Sequence, residues 1–489
     1  MEKNKDIVRG MANATKWSIL SEIIAKLIVP ITNMVLSRIL APEVFGVIAT
    51  ITMITSFADM LTDAGFQKYL IQHQFKSKKE LFQNANVSFV SNFITSLLIW
   101  IVIALFRNQI AESLGSPGFG AALSIASLQL PVTALSSIQM AIYKRNLNFK
   151  TLFARRIVSI ILPFFITIPL AISGFQHWSL IIGTLIGNIA NAIILTIYSE
   201  WKPKLFFKLS ILKKMLNFSI WSLLESLTVW LSANIDTFII GIIMTQYHLG
   251  LYKNSINMIN SIMSIITMSF TPVLISGISR LQSDEIKYKQ VFYKAQKLIA
   301  WIVFPIGVGI FLYRDLAVSI LFGKKWAEAA GIIGIAALII PFKISISSLV
   351  SICYISKGKP KISALSQLLY IIPLVPVSII ALNKGFWTFV IVRNLFTFEL
   401  LFVNLLLINF VMKISAVKMC KNIIKPIISS LLMCLVYILI SKISSLFIWN
   451  IISIIICACV YILCMRKLGK NEFKYIVKMI SKKTFKNIS

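Results

Sequence analysis

The chain has 489 residues, of which 57% are hydrophobic and 13% charged, and its mean hydropathy is +0.84. A soluble chain of this length carries roughly a quarter charged residues and divides into two or more cores. That class is excluded, and the net charge of +32 has to be explained within a membrane protein. The apolar residues fall in long runs such as 157–175, 180–198, 329–349 and 446–465. Each is near the ~20 residues that carry a helix across ~30 Å of hydrocarbon. None alternates as the strands of a barrel would, so the fold class is an all-α membrane protein.

In chain order, about fourteen transmembrane spans are predicted, near 15–39, 43–66, 82–106, 120–142, 153–174, 178–199, 215–243, 250–277, 290–312, 329–354, 361–383, 386–411, 422–443 and 446–465. The first follows Lys3, Lys5, Arg9 and Lys16, but it is too long for a signal peptide and contains Glu22 and Lys26, so it reads as a retained helix. Two segments are predicted to lie in the headgroup layer, because lysines interleave with apolar residues at helical spacing. One runs from Lys204 to Met215; the other is the tail, through Phe473, Ile476, Val477 and Ile480. Prolines inside the spans, including Pro30, Pro163, Pro305 and Pro341, mark places where helices kink.

The cations are not spread evenly. The termini and even-numbered connections hold about 38 lysines and arginines and the odd-numbered ones about 7, which is the positive-inside pattern. It predicts a bacterial inner-membrane protein with both termini cytoplasmic. Anionic lipid headgroups account for the basic face, and no nucleic-acid partner is expected. The six cysteines, all in the C-terminal half, behave as small apolar residues, and no P-loop, zincin or nucleophile-elbow spacing occurs. No catalytic residue, metal or cofactor is expected.

An internal repeat organises the chain. Trp17-Ser18-Ile19-Leu20 opens the first span and Trp221-Ser222-Leu223-Leu224 the seventh; Gly46 and Gly250 begin the spans that follow, and both pairs are 204 residues apart. A duplicated six-helix unit is therefore predicted. Six being even, its copies run parallel about an axis along the membrane normal, as in carriers that work by alternating access. The predicted lobes are 1–205 and 206–412, with two extra helices and a basic tail at 413–489.

Arg38-Ile-Leu-Ala-Pro-Glu-Val-Phe-Gly46, followed by Thr62-Asp-Ala-Gly-Phe66, resembles the N-terminal signature of the polysaccharide-transport flippases. These belong to the multidrug/oligosaccharidyl-lipid/polysaccharide exporter superfamily. Asp236-Thr-Phe-Ile-Ile-Gly241, Leu249-Gly-Leu-Tyr252, Ser279-Arg-Leu-Gln282 and Leu321-Phe-Gly-Lys-Lys-Trp326 resemble the same group. The resemblance covers most of 10–345. It implies a two-lobed bundle that moves undecaprenyl-pyrophosphate-linked oligosaccharides outward, with no enzymatic activity. It also implies that the extra helices form a groove for the lipid tail, and that other polysaccharide-assembly proteins are partners.

An anionic pyrophosphate and polar sugars need a wet, cationic cavity, and ionisable residues inside spans are costly unless they face one. The candidate substrate-binding cations are Lys26, Arg38, Lys253, Lys343 and Arg393, with Lys26 and Lys253 foremost for the pyrophosphate. Glu22, Asp59, Asp63, Glu225 and Asp236 are the candidates for coupling or gating, and Glu399 is a further acid within a span. Each has a plainer reading. Glu22 and Lys26 are spaced for an intrahelical ion pair, Lys253 for snorkelling, Arg38 for an interfacial anchor. Two alternatives compete with the flippase: an exporter of small cationic compounds, which favours an acidic cavity, and a membrane glycosyltransferase or polymerase. The latter needs a sizeable extramembrane segment, whereas the connections here are short.

Overall fold

The computed structural model describes residues 2–279, 281, 284–444 and 446–480; the side chains of 2–16, 18, 19, 23, 218, 221, 224, 225, most of 268–279, 355, 360, 476 and 478–480, Glu225 and the tail residues Ile476 and Ile480 among them, lie outside the described set. Among the described residues every regular element is helical and no strand occurs. The long helices are α1 (Glu2–Ile39), α2 (Pro42–Asp63), α3 (Lys78–Leu105), α4 (Gly120–Arg145), α5 (Phe149–Ile172), α6 (Gln176–Tyr198), α7 (Leu209–Ile243) and α8 (Gln246–Ser279). They continue with α9 (Glu285–Leu312), α10 (329–356), α11 (Pro360–Asn383), α12 (Phe386–Met412), α13 (Ala416–Ile440), α14 (Phe447–Leu468) and the short tail helix α15 (Lys470–Ile480). Among the described residues thirteen spans are long and apolar enough to cross a membrane, against the fourteen or so expected of the chain. The segment expected at 250–277 forms α8, one unbroken 34-residue helix, but it is not among the thirteen, and much of its second half has undescribed side chains.

Local chemistry fixes where these helices begin and end. Pro42 starts α2, where its preset φ suits the first turn and its missing N–H costs nothing. Ala64 and Gly65 then end the helix in the left-handed region, at φ 42° and 78°. Ser77 caps α3 by accepting from the Glu80 amide at 3.2 Å, while the Glu80 carboxylate accepts from the Lys76 amide at 2.7 Å, in the manner of a capping box. Asp284 caps α9 by accepting from the Lys287 amide at 3.0 Å, which holds its carboxyl below the ordinary carboxylate range.

The chain divides into two compact units: residues 1–254 with Leu321–Lys325, and Ser255–Ile320 with Trp326–Ser489. In the first, α5 packs along α1 and α6, α4 lies against α3 and α6, and α2 meets α7. Polar side chains tie these helices together: Asn92 donates to Ser137 (3.0 Å), Trp230 to Ser56 (3.0 Å) and Asn254 to Ser37 (3.0 Å). Such bonds are worth having where lipid offers no alternative partner. Gly183 and Gly187 of α6 face Thr167 and Pro163 of α5 so closely that a Cβ at either would collide.

The two glycines of the sequence repeat meet in this unit. A Cβ on Gly46 would run into the carbonyl of Gln246, and one on Gly250 into the carbonyl of Pro42. Pro42 and Gln246 are themselves one repeat apart, so the crossing is reciprocal.

In the second unit α9 is central, packing on α10, α13 and α14. Buried Gln296 donates to the Met419 carbonyl (3.3 Å) and accepts from Asn422 (3.0 Å), joining α9 to α13. Tyr461 of α14 donates to the Trp301 carbonyl (2.9 Å) in a core with Met433 and Cys457. The tail helix α15 docks on α9. Phe473 reaches this core, Glu472 pairs with Lys297 (3.8 Å), and the Lys294 amine sits 4.5 Å from the centroid of the Tyr475 ring. Val477 of the same helix is exposed.

Candidate functional site

Each unit holds a cavity lined by groups that an apolar bundle would not keep without a use. In the second unit, α8, α9 and α10 enclose about 420 Å³. The walls are largely isoleucine and leucine, but Asn260, Ser264, Thr267, Ser348 and Ser351 bring hydroxyl and amide groups, and Lys343 is the cation. Lys343 is exposed and stands near the middle of the span Ala329–Tyr354.

The backbone at this point departs from the α-helix. Ala329–Lys343 is α-helical, Ile344–Ser348 is a π-helical turn, and Leu349–Ser356 returns to α. The turn follows Pro341, which lacks an N–H, and Ser345 returns a hydroxyl to the Pro341 carbonyl at 2.7 Å. Wide turns of this kind are often found at functional sites, and here it lets Lys343 and Ser348 open on one cavity. The hydroxyls of Ser264, Thr267, Ser348 and Ser351 donate to carbonyls of their own chain segment. They are thus satisfied as they stand, and one bond rotation turns each toward a ligand oxygen.

In the first unit a smaller cavity, about 120 Å³, lies among α2 to α6. Asp59 and Asp63 of α2 share it with Asn92, Arg155, Asn188 and Asn191. Thr133 donates to Asp59 at 3.1 Å, and Arg155 donates through Nε to Asn191 at 3.2 Å, while Ser159 also donates to Asn191. One carboxylate oxygen of Asp63 is buried and has no hydrogen-bond partner among the described residues. Two carboxylates beside one guanidinium leave the cavity with an acceptor surplus suited to a proton, a small cation or sugar hydroxyls.

The other predicted residues lie elsewhere. Glu22 takes Arg156 of α5 as an ion-pair partner at 2.8 Å; Lys26 is half-buried one turn further along α1. Lys253 donates to the Ala233 carbonyl (3.0 Å) and the Thr237 hydroxyl (2.8 Å), next to Asp236, which accepts from Tyr252 at 3.4 Å. Arg38 is exposed in the last turn of α1, with Gly323 beside it. Arg393 donates to the Tyr370 hydroxyl at 2.6 Å and lies over its ring. Glu399 keeps one oxygen buried without a hydrogen-bond partner among the described residues. The side chain of Glu225 lies outside the described residues. Among the described residues no group of His, Cys, Asp and Glu could hold a metal ion.

The chain is thus an all-helical, multi-pass membrane protein whose cavities are lined in part by polar side chains. The chain superimposes on a solved structure described as lipid II flippase MurJ in an inward closed conformation, with a TM-score of 0.78 and 15% identity, over 94% of this chain and 99% of that one. An inward-facing multidrug resistance MATE family transporter of the MOP superfamily matches with a TM-score of 0.55 and 14% identity, over 81% of this chain and 95% of that one. The chain belongs to the polysaccharide biosynthesis protein family, which it matches over residues 35–331. Among curated relatives, the succinoglycan biosynthesis transport protein ExoT of Rhizobium meliloti (strain 1021) is 25% identical over 327 residues, covering 66% of this chain and 64% of ExoT. The lipopolysaccharide biosynthesis protein WzxC of Escherichia coli (strain K12) is 23% identical over 320 residues, covering 64% of this chain and 63% of WzxC. The match thus spans a little under two thirds of these relatives' own lengths.

Proposed function

We propose that the chain moves lipid-linked oligosaccharides, a short glycan on an isoprenoid pyrophosphate, from the cytoplasmic to the outer leaflet of a bacterial inner membrane for surface polysaccharide assembly. The observation that carries this reading is the Lys343 cavity. A cation, a set of hydroxyls and an apolar wall near the middle of a span are what a pyrophosphate attached to a polyprenyl tail requires. The names of the relatives support it, one being a transport protein for succinoglycan biosynthesis and the structural neighbour a lipid II flippase.

In this reading Lys343 is the principal phosphate contact, ahead of Lys26 and Lys253, since it lines a large polar cavity near the middle of its span. Arg38 and Arg393 add positive potential along the path. Asp59 and Asp63 couple or gate the cycle, as does Asp236 beside Lys253. The lobes 1–205 and 206–412 alternate access, helices 413–489 serve the lipid tail, and both termini are cytoplasmic. No bond is made or broken.

The test is where lipid-linked precursor accumulates when the gene is deleted and then restored. Precursor trapped on the cytoplasmic leaflet and released by the restored gene is expected. Precursor that reaches the outer leaflet without the protein overturns the reading.

A further inference from the structure

Another cavity of the first unit, about 510 Å³, opens where helices begin rather than along their length. Glu43 comes from the first turn of α2, Gln176 and His177 from that of α6, Gln246 and Tyr247 from that of α8, and Phe119 from the residue ahead of α4. These helix starts follow odd-numbered connections, which face outward in the proposed topology. The volume is in the range of about 300–1,000 Å³ typical of small-molecule sites.

Its chemistry differs from that of the Lys343 cavity. No lysine or arginine is among its described lining residues, so a pyrophosphate would find no counter-ion there. What it offers is mixed. The first turns of α6 and α8 present backbone N–H groups that helical carbonyls leave unused, while Glu43 and Gln176 supply acceptors. Phe119 and Tyr247 are half-buried and offer aromatic surface, with the His177 ring edge-on to Phe119 at 5.2 Å. A pyranose has the matching pattern: a rim of hydroxyls that donate and accept, and an apolar face of C–H bonds that packs on a ring. The frame is also preorganised. The Gln246 amide donates to the Gly115 carbonyl (2.7 Å) and the Ser116 hydroxyl (2.8 Å), and its backbone is pressed against Gly46. We infer that this vestibule binds an uncharged pyranose of the translocated glycan on the outer face, the sugar stacking on Tyr247 with its hydroxyls held by Glu43 and Gln176. The inference rests on the flippase reading for the cargo and for which face is outward.

The probe is the phosphate-free glycan repeat released from the host's lipid-linked precursor by mild acid, titrated by saturation-transfer NMR against the full-length protein in nanodiscs. Wild type and Tyr247→Phe, which keeps the ring, are expected to bind alike. Tyr247→Ala and Glu43→Ala are expected to weaken binding by about tenfold or more, a loss of ~1.4 kcal/mol. No saturation transfer to wild type, or equal affinity in both alanine variants, overturns the vestibule. Precursor trapping by gene deletion separates the two ideas: trapping without glycan binding keeps the flippase and removes the vestibule. Glycan binding that depends on Tyr247 without trapping keeps the vestibule and removes the flippase.

Discussion

A lysine near the middle of an apolar helix costs about 2.5–3.5 kcal/mol to insert, so the cavity around Lys343 has to return something in function. Replacing it with methionine should therefore leave the amount of protein in the membrane unchanged or higher, while export falls by about tenfold or more. Lys343→Arg should keep most of the activity, because either cation meets a phosphate; outer-leaflet precursor is the readout for both. Normal export by Lys343→Met would remove it as the phosphate contact. Asp63 invites a different test, since one of its oxygens is buried and unmatched. Asp63→Asn keeps the shape and loses the charge. In proteoliposomes it should still allow downhill flipping but no longer accumulate precursor against its gradient in response to an imposed ion gradient. Lys343, Asp59 and Asp63 were legible in the sequence as charges inside spans. Their surroundings were not: nothing in the spacing along the chain announces that Arg155 of α5 lines the cavity of Asp59 and Asp63, or that Arg156 pairs with Glu22. Which face of a helix a residue occupies depends on packing between distant segments, and hydropathy is blind to it. A signal was available in Asn188 and Asn191, one helical turn apart in an otherwise apolar run.

The spans themselves were readable because a membrane-crossing helix must be both long and apolar, and composition records both. Backbone irregularity inside a span leaves a fainter trace. Pro341 marked α10 for a kink, but the π turn over Ile344–Ser348 depends on how the freed carbonyls are satisfied. Inserting one residue just past that turn, between Ser348 and Leu349, would rotate the helix beyond it by about 100°. Ser351 would then no longer face the cavity that Lys343 lines. Export is expected to be lost, whereas Ser348→Ala, which keeps the register, should lower it only a few-fold; equal effects would mean that the register set by the turn does not matter to transport. The tail helix α15 is likewise more than its periodicity predicts. It carries an exposed Val477, yet it is also docked on α9 through Phe473, Glu472 and Tyr475.

For the whole molecule, the uneven distribution of cations makes a sidedness claim that is independent of any cargo. Alkaline phosphatase fused after residue 117 should be active, being outside, and after residue 147 inactive; the reverse result would invert the topology and the direction of transport with it. The 204-residue sequence repeat has a physical counterpart in the reciprocal crossing of Pro42–Gly46 with Gln246–Gly250. Alanine at Gly46 or at Gly250 should each cost about 1–3 kcal/mol of thermal stability in detergent. The double variant should cost less than the sum, because backbones already parted by one methyl make room for the second. Full additivity would mean that the two contacts yield independently. A contact in which each side repeats the other's position has the reciprocity of an isologous dimer interface, here within one chain. A methyl group added at either glycine is therefore felt by the backbone that carries the other.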